Sequence, residues 1–245
     1  MKKSLMLVMA MLLVAAGANA AVIASDTFSY PDGPLVGNST WYNHSGNLDD
    51  LLVFAGQAVV EHGVPSEDAT LPFVLPNAGD VYFSFDFSVD DLGAPFAGTD
   101  FEYFAHFKDD GFGFRARMDV QAPTGAGDYT VGISTIGSTA DATWPADLTY
   151  GVVYNVIARY NQDTNIAQMW IDASADTDLS ILGNDESDPG TVMTGFALRQ
   201  SDSAENETIR VDNLVIGDSC VDVFDSCDPV AVEASSWGNV KSLYR

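Results

Sequence analysis

The sequence predicts an all-β protein built as an antiparallel sandwich or barrel. Short segments that alternate apolar and polar residues recur along the chain, and turns rich in Gly, Pro, Asn and Asp separate them. The sequence lacks any long window with the 3.6-residue periodicity of an amphipathic helix. Its 245 residues are enough for one large all-β domain with a substantial core.

Residues 1–20 have the pattern of a secretory signal peptide. Lys2 and Lys3 supply a positive start, an apolar run follows, and Ala18-Asn19-Ala20 has the small-x-small form of a cleavage site. The apolar run, about 13 residues, is too short to span a bilayer of roughly 30 Å as a helix. We therefore expect cleavage near Ala21, no membrane span, and a protein that works outside the cytoplasm, secreted or at the cell surface.

The chain is strongly acidic, with 35 Asp and Glu against 10 Lys and Arg and a formal net charge of −25 at pH 7. Such a surface repels phosphate backbones and anionic lipids, which argues against nucleic-acid binding. Asp far outnumbers Glu, and Asp suits turns and oxygen-ligand loops better than helices. Two interpretations stay open, namely solvated acidic turns and divalent-cation sites.

The clearest predicted strand is 81–89, where apolar residues occupy the odd positions and mostly polar residues the even ones. Two more strands, 101–107 and 112–120, are predicted as a hairpin across 108–111, because Asp-Gly is a strong hairpin signal. The second of these is expected to hold four apolar residues on one face and two arginines on the other: Phe112, Phe114, Ala116 and Met118 against Arg115 and Arg117.

Further strands follow from the same alternation, and 172–190 is predicted to be a polar loop. A polar turn at 161–165 joins two of these strands in a hairpin. The other predicted strands cover 51–62 (as one or two strands), 128–136, 152–160, 166–172, 195–200 and 208–217.

The last segment, 219–245, differs in composition and is predicted to be a tail outside a main domain of 21–218. Cys220 and Cys227 both lie in it, and two nearby cysteines in an oxidising compartment most often pair. Their spacing lacks the second ligand pair that a zinc site needs. We therefore predict a disulfide that holds a terminal loop.

Three stretches carry a family resemblance. They are the opening 26–37 with Trp41 and 44–46, the hairpin 154–172, and the late strand 209–217 with its Asp-Asn pair. In this order they resemble the concanavalin A-like lectin/glucanase superfamily, in particular the laminin-G-like jelly-roll domains of bacterial extracellular proteins. The resemblance implies two antiparallel sheets packed face to face, with the first and last strands side by side. This superfamily includes lectins, carbohydrate-binding and adhesion modules, hydrolases and lyases, so the fold does not choose a function.

The sequence argues against glycoside hydrolysis. That reaction needs two carboxylates flanking the scissile bond, and the Glu-x-Asp-x-x-Glu motif of the superfamily's sandwich hydrolases is missing from the sequence. Lyases of the superfamily neutralise a uronate with Arg or Gln and use His and Tyr for proton transfer. Residues of these types are predicted to meet on adjacent strands, as an ion-pair ladder, a glycan-binding patch or a catalytic cluster: Glu102, His106, Arg115 and Arg117.

Two further site predictions complete the set. Trp144 precedes Pro145 in a loop and is the predicted sugar-stacking aromatic. Calcium is the predicted cofactor, because it takes oxygen ligands and because such sites recur in the superfamily. The resemblance places Asp26 near Asp212, and this pair is the first candidate for its ligands. The alternatives are three acidic pairs, Asp49-Asp50, Asp90-Asp91 and Asp109-Asp110.

The predicted function is a secreted, non-catalytic binding module for an extracellular glycan or a surface partner, stabilised by calcium. A polysaccharide-active enzyme of the same fold, lyase or hydrolase, is one alternative. A structural protein of the surface or matrix is the other. The sequence names neither the ligand nor the oligomeric state.

Overall fold

The computed structural model describes residues 22–63, 65–76, 78–98, 102–184, 189–203 and 205–228. The predicted signal peptide lies outside the described residues. In chain order the strands are β1 (Ala24–Asp26), β2 (Gly33–Pro34), β3 (Tyr42–Gly46), β4 (Leu52–Phe54), β5 (Gln57–Glu61), β6 (Glu67–Pro72), β7 (Asp80–Val89), β8 (Tyr103–Lys108), β9 (Phe114–Gln121), β10 (Thr130–Ser134), β11 (Ala142–Thr143), β12 (Tyr154–Asn161), β13 (Ile166–Ile171), β14 (Ile181–Leu182), β15 (Gly195–Arg199) and β16 (Thr208–Gly217).

The strands form two antiparallel sheets, which confirms the predicted jelly-roll sandwich. The nine-stranded sheet has the order β14-β13-β12-β7-β16-β5-β4-β2, with β1 paired to β16. The seven-stranded sheet has the order β11-β10-β9-β8-β15-β6-β3. Asp26 on β1 lies opposite Leu214 on β16, so the first and last strands are neighbours as the resemblance implies.

Aromatic side chains from both sheets fill the space between them. From the nine-stranded sheet, β7 contributes Phe83, Phe85 and Phe87, and the seven-stranded sheet contributes Phe107 and Phe196. The ring of Phe83 lies 5.0 Å from those of Phe107 and Phe196, centroid to centroid, in edge-on arrangements. These tilted contacts suit the quadrupoles of the rings and fix the two sheets against each other.

A bulge in β9 overturns the predicted assignment of its faces. Ala116 has a φ of 51°, and the pairing of β8 with β9 shifts register on either side of Ala105. Ala116 and Met118 face the core as predicted. The extra residue turns Phe114 to the opposite face, where its ring centroid lies 5.4 Å from the guanidinium of Arg117.

The predicted disulfide between Cys220 and Cys227 is present. It closes a loop that begins with a short 3₁₀ helix, Cys220–Asp222, and contains Phe224. Phe224 is buried, with its ring 5.1 Å from Trp170 and 6.5 Å from Tyr82. Residues 219–228 therefore pack on the outer face of the nine-stranded sheet, and 229–245 lie outside the described residues. Across the described ranges no helix has the length and apolarity needed to cross a membrane.

Candidate functional site

The outer face of the seven-stranded sheet, on the side away from the core, holds a cluster of charged and aromatic side chains. Five neighbouring strands, β9, β8, β15, β6 and β3, supply it. We call this cluster the outer-face cluster, and its members are His44, Asp68, Thr70, Tyr103, His106, Phe114, Arg117, Asp119 and Arg199, with Glu102 just before β8.

Tyr103 lies at the centre of the outer-face cluster and orders two cations. The guanidinium carbon of Arg117 is 4.6 Å from its ring centroid, and that of Arg199 is 4.4 Å away. Arg199 also donates a 2.7 Å hydrogen bond to Glu102 Oε2 and a 3.3 Å bond to the carbonyl of Tyr103. The ring and these bonds hold both planar guanidinium groups in fixed orientations at the sheet surface.

The two histidines of the cluster lie beneath its surface. His106 is completely buried under the ring of Phe114, with centroids 4.4 Å apart. Its Nδ1 lies 3.0 Å from the carbonyl of Phe107, which can only accept, so Nδ1 carries the proton. The Nδ1 of His44 lies 2.7 Å from the hydroxyl of Thr70. Burial lowers the pKa of His44 to about 4 and that of His106 well below its ordinary value, so both rings are neutral at pH 7.

Two carboxyl groups of the cluster are also buried, one partly and one almost completely. Burial raises the pKa of Asp68 to about 6, although the nearby guanidinium of Arg199 acts in the opposite direction. Asp119, opposite Tyr103 in the sheet, is 2% exposed, and its burial raises its pKa to about 7. Gln121 donates a 3.2 Å hydrogen bond to Asp119 Oδ2. The carboxyl group fits because Gly132 lies beside it, where a Cβ atom would come within 2.6 Å of Asp119 Oδ1.

The structure brings Glu102, His106 and Arg117 together, as the sequence predicts, but it separates Arg115 from them. Arg115 is buried, and its Nε donates a 3.0 Å bond to Asn165 Oδ1 in the turn between β12 and β13. Arg115 thus connects the two sheets at one end of the sandwich. The predicted ladder of Glu102 and His106 with the two β9 arginines is therefore wrong, since Glu102 pairs with Arg199.

Trp144 does not lie where a sugar-stacking residue would have to be. Its side chain is only 6% exposed and belongs to the hydrophobic core. Its backbone N–H donates to the carbonyl of Val131, which continues the pairing of β10 with the chain after β11. The indole face is thus covered by protein, contrary to the prediction of a ligand contact.

The candidate calcium ligands have other partners. Asp26 Oδ1 accepts from the backbone N–H of Phe28 at 2.7 Å, and Oδ2 accepts from the hydroxyl of Tyr30 at 2.9 Å and the indole of Trp41 at 2.6 Å. Both oxygens of Asp26 are thus used inside the protein, and Asp212 Oδ1 accepts from the backbone N–H of Asn213 at 2.7 Å. Among the described residues no three His, Cys, Asp or Glu side chains are grouped as a metal site. Calcium stays a prediction.

Seven members of this cluster were not predicted from the sequence, namely His44, Asp68, Thr70, Tyr103, Phe114, Asp119 and Arg199. Arg199 could have been identified as a candidate from the sequence, because basic residues are scarce in this acidic chain. Tyr103 and His106 share a face only because the register of β8 against β9 shifts between them. Simple alternation places them on opposite faces.

Comparisons with solved structures agree with this architecture. The chain is similar to the seed lectin of Lotus tetragonolobus, with a TM-score of 0.50 and 13% identity over 80% of this chain and 97% of the lectin. It is also similar to peanut lectin, in a structure with a nine-residue peptide, with a TM-score of 0.50 and 15% identity over 81% of this chain and 98% of that one. No protein-family model and no curated protein matches the sequence. The protein therefore has the concanavalin A-like lectin fold, and identities this low show the fold alone.

Proposed function

We propose that this protein is a non-catalytic module that binds an extracellular glycan on the outer face of its seven-stranded sheet. One observation carries the proposal, namely the two guanidinium groups that Tyr103 holds in place beside Glu102. Fixed planar donors beside a carboxylate acceptor suit the hydroxyl groups of a sugar, each of which both donates and accepts. Because these groups are ordered before the ligand arrives, less conformational entropy is lost on binding.

The outer-face cluster is also accessible where it needs to be. The side chains of Arg199 and Glu102 are each 20% exposed, and Arg117 and Asp68 are partly exposed as well. Below them lies a layer of four rings, those of Tyr103 and Phe114 and the two neutral imidazoles. His106, the expected proton-transfer group of a lyase, is buried in this layer under Phe114, and this supports binding over catalysis.

Secretion is part of the proposal. The disulfide between Cys220 and Cys227 is compatible with an oxidising compartment. The signal-like sequence 1–20 is the second support. The glycan would then be one that the protein meets outside the cytoplasm.

A calorimetric titration with a panel of neutral and charged oligosaccharides tests the proposed function. The site variant is Tyr103→Leu, which keeps an apolar side chain but removes the ring under the guanidinium groups. At least one oligosaccharide is expected to bind, and the variant is expected to bind it about tenfold more weakly, since each lost cation–π contact is worth roughly 0.5–1 kcal/mol.

Phe54→Ala is the matched control, because Phe54 is an exposed aromatic residue on the other sheet. It should leave the affinity unchanged. A panel without any binding oligosaccharide would overturn the proposal and favour the alternative of a structural surface protein. The proposal would also be overturned if Phe54→Ala weakened the binding while a folded Tyr103→Leu variant bound normally.

A further inference from the structure

The basic residues of this acidic protein are not evenly distributed. Those in the described ranges lie mostly on three adjacent strands of the seven-stranded sheet, β9, β8 and β15. In chain order these are Lys108, Arg115, Arg117 and Arg199, whereas Arg159 and Arg210 lie on the nine-stranded sheet. With a net charge of −25, such a concentration on one sheet requires an explanation.

Most of these cations already have a role within the protein. Arg199 pairs with Glu102, Arg159 lies 3.8 Å from Asp80, and Arg210 binds Asp90. Lys108 donates to the carbonyls of the turn that follows β8, and Arg115 donates to Asn165 and to its own strand. Each of these side chains has a defined structural partner.

Arg117 differs from all of them. Among the described residues no carboxylate lies within 4 Å of its guanidinium, and its buried Nε lacks a hydrogen-bond acceptor. It is held over the rings of Tyr103 and Phe114 at the centre of the outer-face cluster, where it is partly exposed. A fixed cation with unused donors in an acidic protein is arranged to receive a negative group from outside.

We infer that the glycan of the proposed function is anionic, and that Arg117 binds its carboxylate or sulfate group. The inference rests on the proposed function, because it names the ligand class of that same site. Arg199 packs against the same tyrosine ring and would bind a neighbouring hydroxyl or a second oxygen of the anion, which suits the planar geometry of a guanidinium.

The acidic members of the cluster do not cancel this preference. The charge of Glu102 is taken up by Arg199 at 2.7 Å. Burial raises the pKa of Asp119 to about 7, so this group carries less negative charge near neutral pH than an exposed aspartate does. Asp68 lies opposite Arg199 in the sheet, and the guanidinium of Arg199 acts on its charge. The neutral His44 and His106 add no charge of either sign.

The test compares pairs of ligands that differ only in charge. Tetragalacturonate is titrated against its methyl ester, and a sulfated galactotetraose against its desulfated form, so that the two pairs distinguish a carboxylate from a sulfate. At least one anionic member is expected to bind tenfold or more tightly than its neutral partner. Its affinity should also fall as sodium chloride is raised from about 50 to about 500 mM.

The variants are Arg117→Met and Arg117→Lys, with Arg159→Met as the matched control on the other sheet. Arg117→Met should abolish the preference for the charged ligand, Arg117→Lys should restore part of it, and Arg159→Met should leave it unchanged. The neutral ligands could instead bind as tightly as their anionic partners, or more tightly, with no change in Arg117→Met. That result would overturn the inference of an anionic ligand and leave the proposed function standing. Binding of none of the four ligands, nor of any glycan in the wider panel, would overturn both.

Discussion

The indole Nε1 of Trp41 donates a 2.6 Å hydrogen bond to Oδ2 of Asp26. Both side chains are buried, and the same carboxylate accepts from the hydroxyl of Tyr30 and the backbone N–H of Phe28. The loop after β1 is thus tied to the sandwich through one acidic side chain. Asp26, which the sequence suggested as a calcium ligand, instead accepts hydrogen bonds inside the fold, one of them from Trp41.

Replacement of Asp26 should therefore affect stability. Asp26→Ala is expected to lower the free energy of unfolding by roughly 2–4 kcal/mol, because three donors lose their acceptor in a buried site. Asp26→Asn keeps one oxygen and should cost less. Urea unfolding followed by circular dichroism measures both, with the exposed Asp202→Ala as control. The loss should be the same in calcium and in EDTA, and a loss seen only in calcium would restore Asp26 as a calcium ligand.

The alternation of side chains predicted most of this fold but not the details of its site. The strand 81–89 and the hairpin across 161–165 are found nearly where expected, because one buried face dictates a period of two. The outer-face cluster depends on the bulge at Ala116, which inserts one residue without any Gly or Pro to mark it. The partner of Glu102, Arg199, is distant in sequence, and only the pairing of β15 with β8 brings it near.

The disulfide loop should stabilise the sandwich through Phe224. Phe224→Ala is expected to lower the free energy of unfolding by roughly 2–3 kcal/mol, because it uncovers Trp170 and Tyr82. The indole of Trp170 would then meet water, so the tryptophan fluorescence should shift to longer wavelength. Val221→Ala in the same loop is the control, since Val221 is exposed. An unshifted spectrum in Phe224→Ala would show that the loop does not cover Trp170 in solution.

Glu67 should be another structural carboxylate. It is fully buried, and its Oε2 accepts from the backbone N–H groups of Asp50 and Leu51, both at 2.9 Å, while Oε1 accepts from Asn43 at 3.1 Å. Glu67→Ala leaves these donors without an acceptor and should cost roughly 2–4 kcal/mol. Glu67→Gln can keep an oxygen toward the two backbone donors and should cost much less. Thermal melting compares the two, and equal losses would contradict the role given to the hydrogen bonds.

Asp119 should make the protein less stable at high pH. Its folded-state pKa of about 7 lies above the ordinary value of 3.8, so the folded state binds the proton more tightly than the unfolded state does. The contribution of this group to stability therefore rises as the pH falls from about 8 to about 5. Asp119→Asn removes the buried charge and should be more stable than the wild type at pH 8 by roughly 1–3 kcal/mol, with the difference shrinking towards pH 5.

Urea unfolding at a series of pH values measures this difference, and Asp202→Asn on the surface should show none. A variant that is less stable than the wild type at pH 8, or a difference that does not change with pH, would contradict the burial of an ionised Asp119.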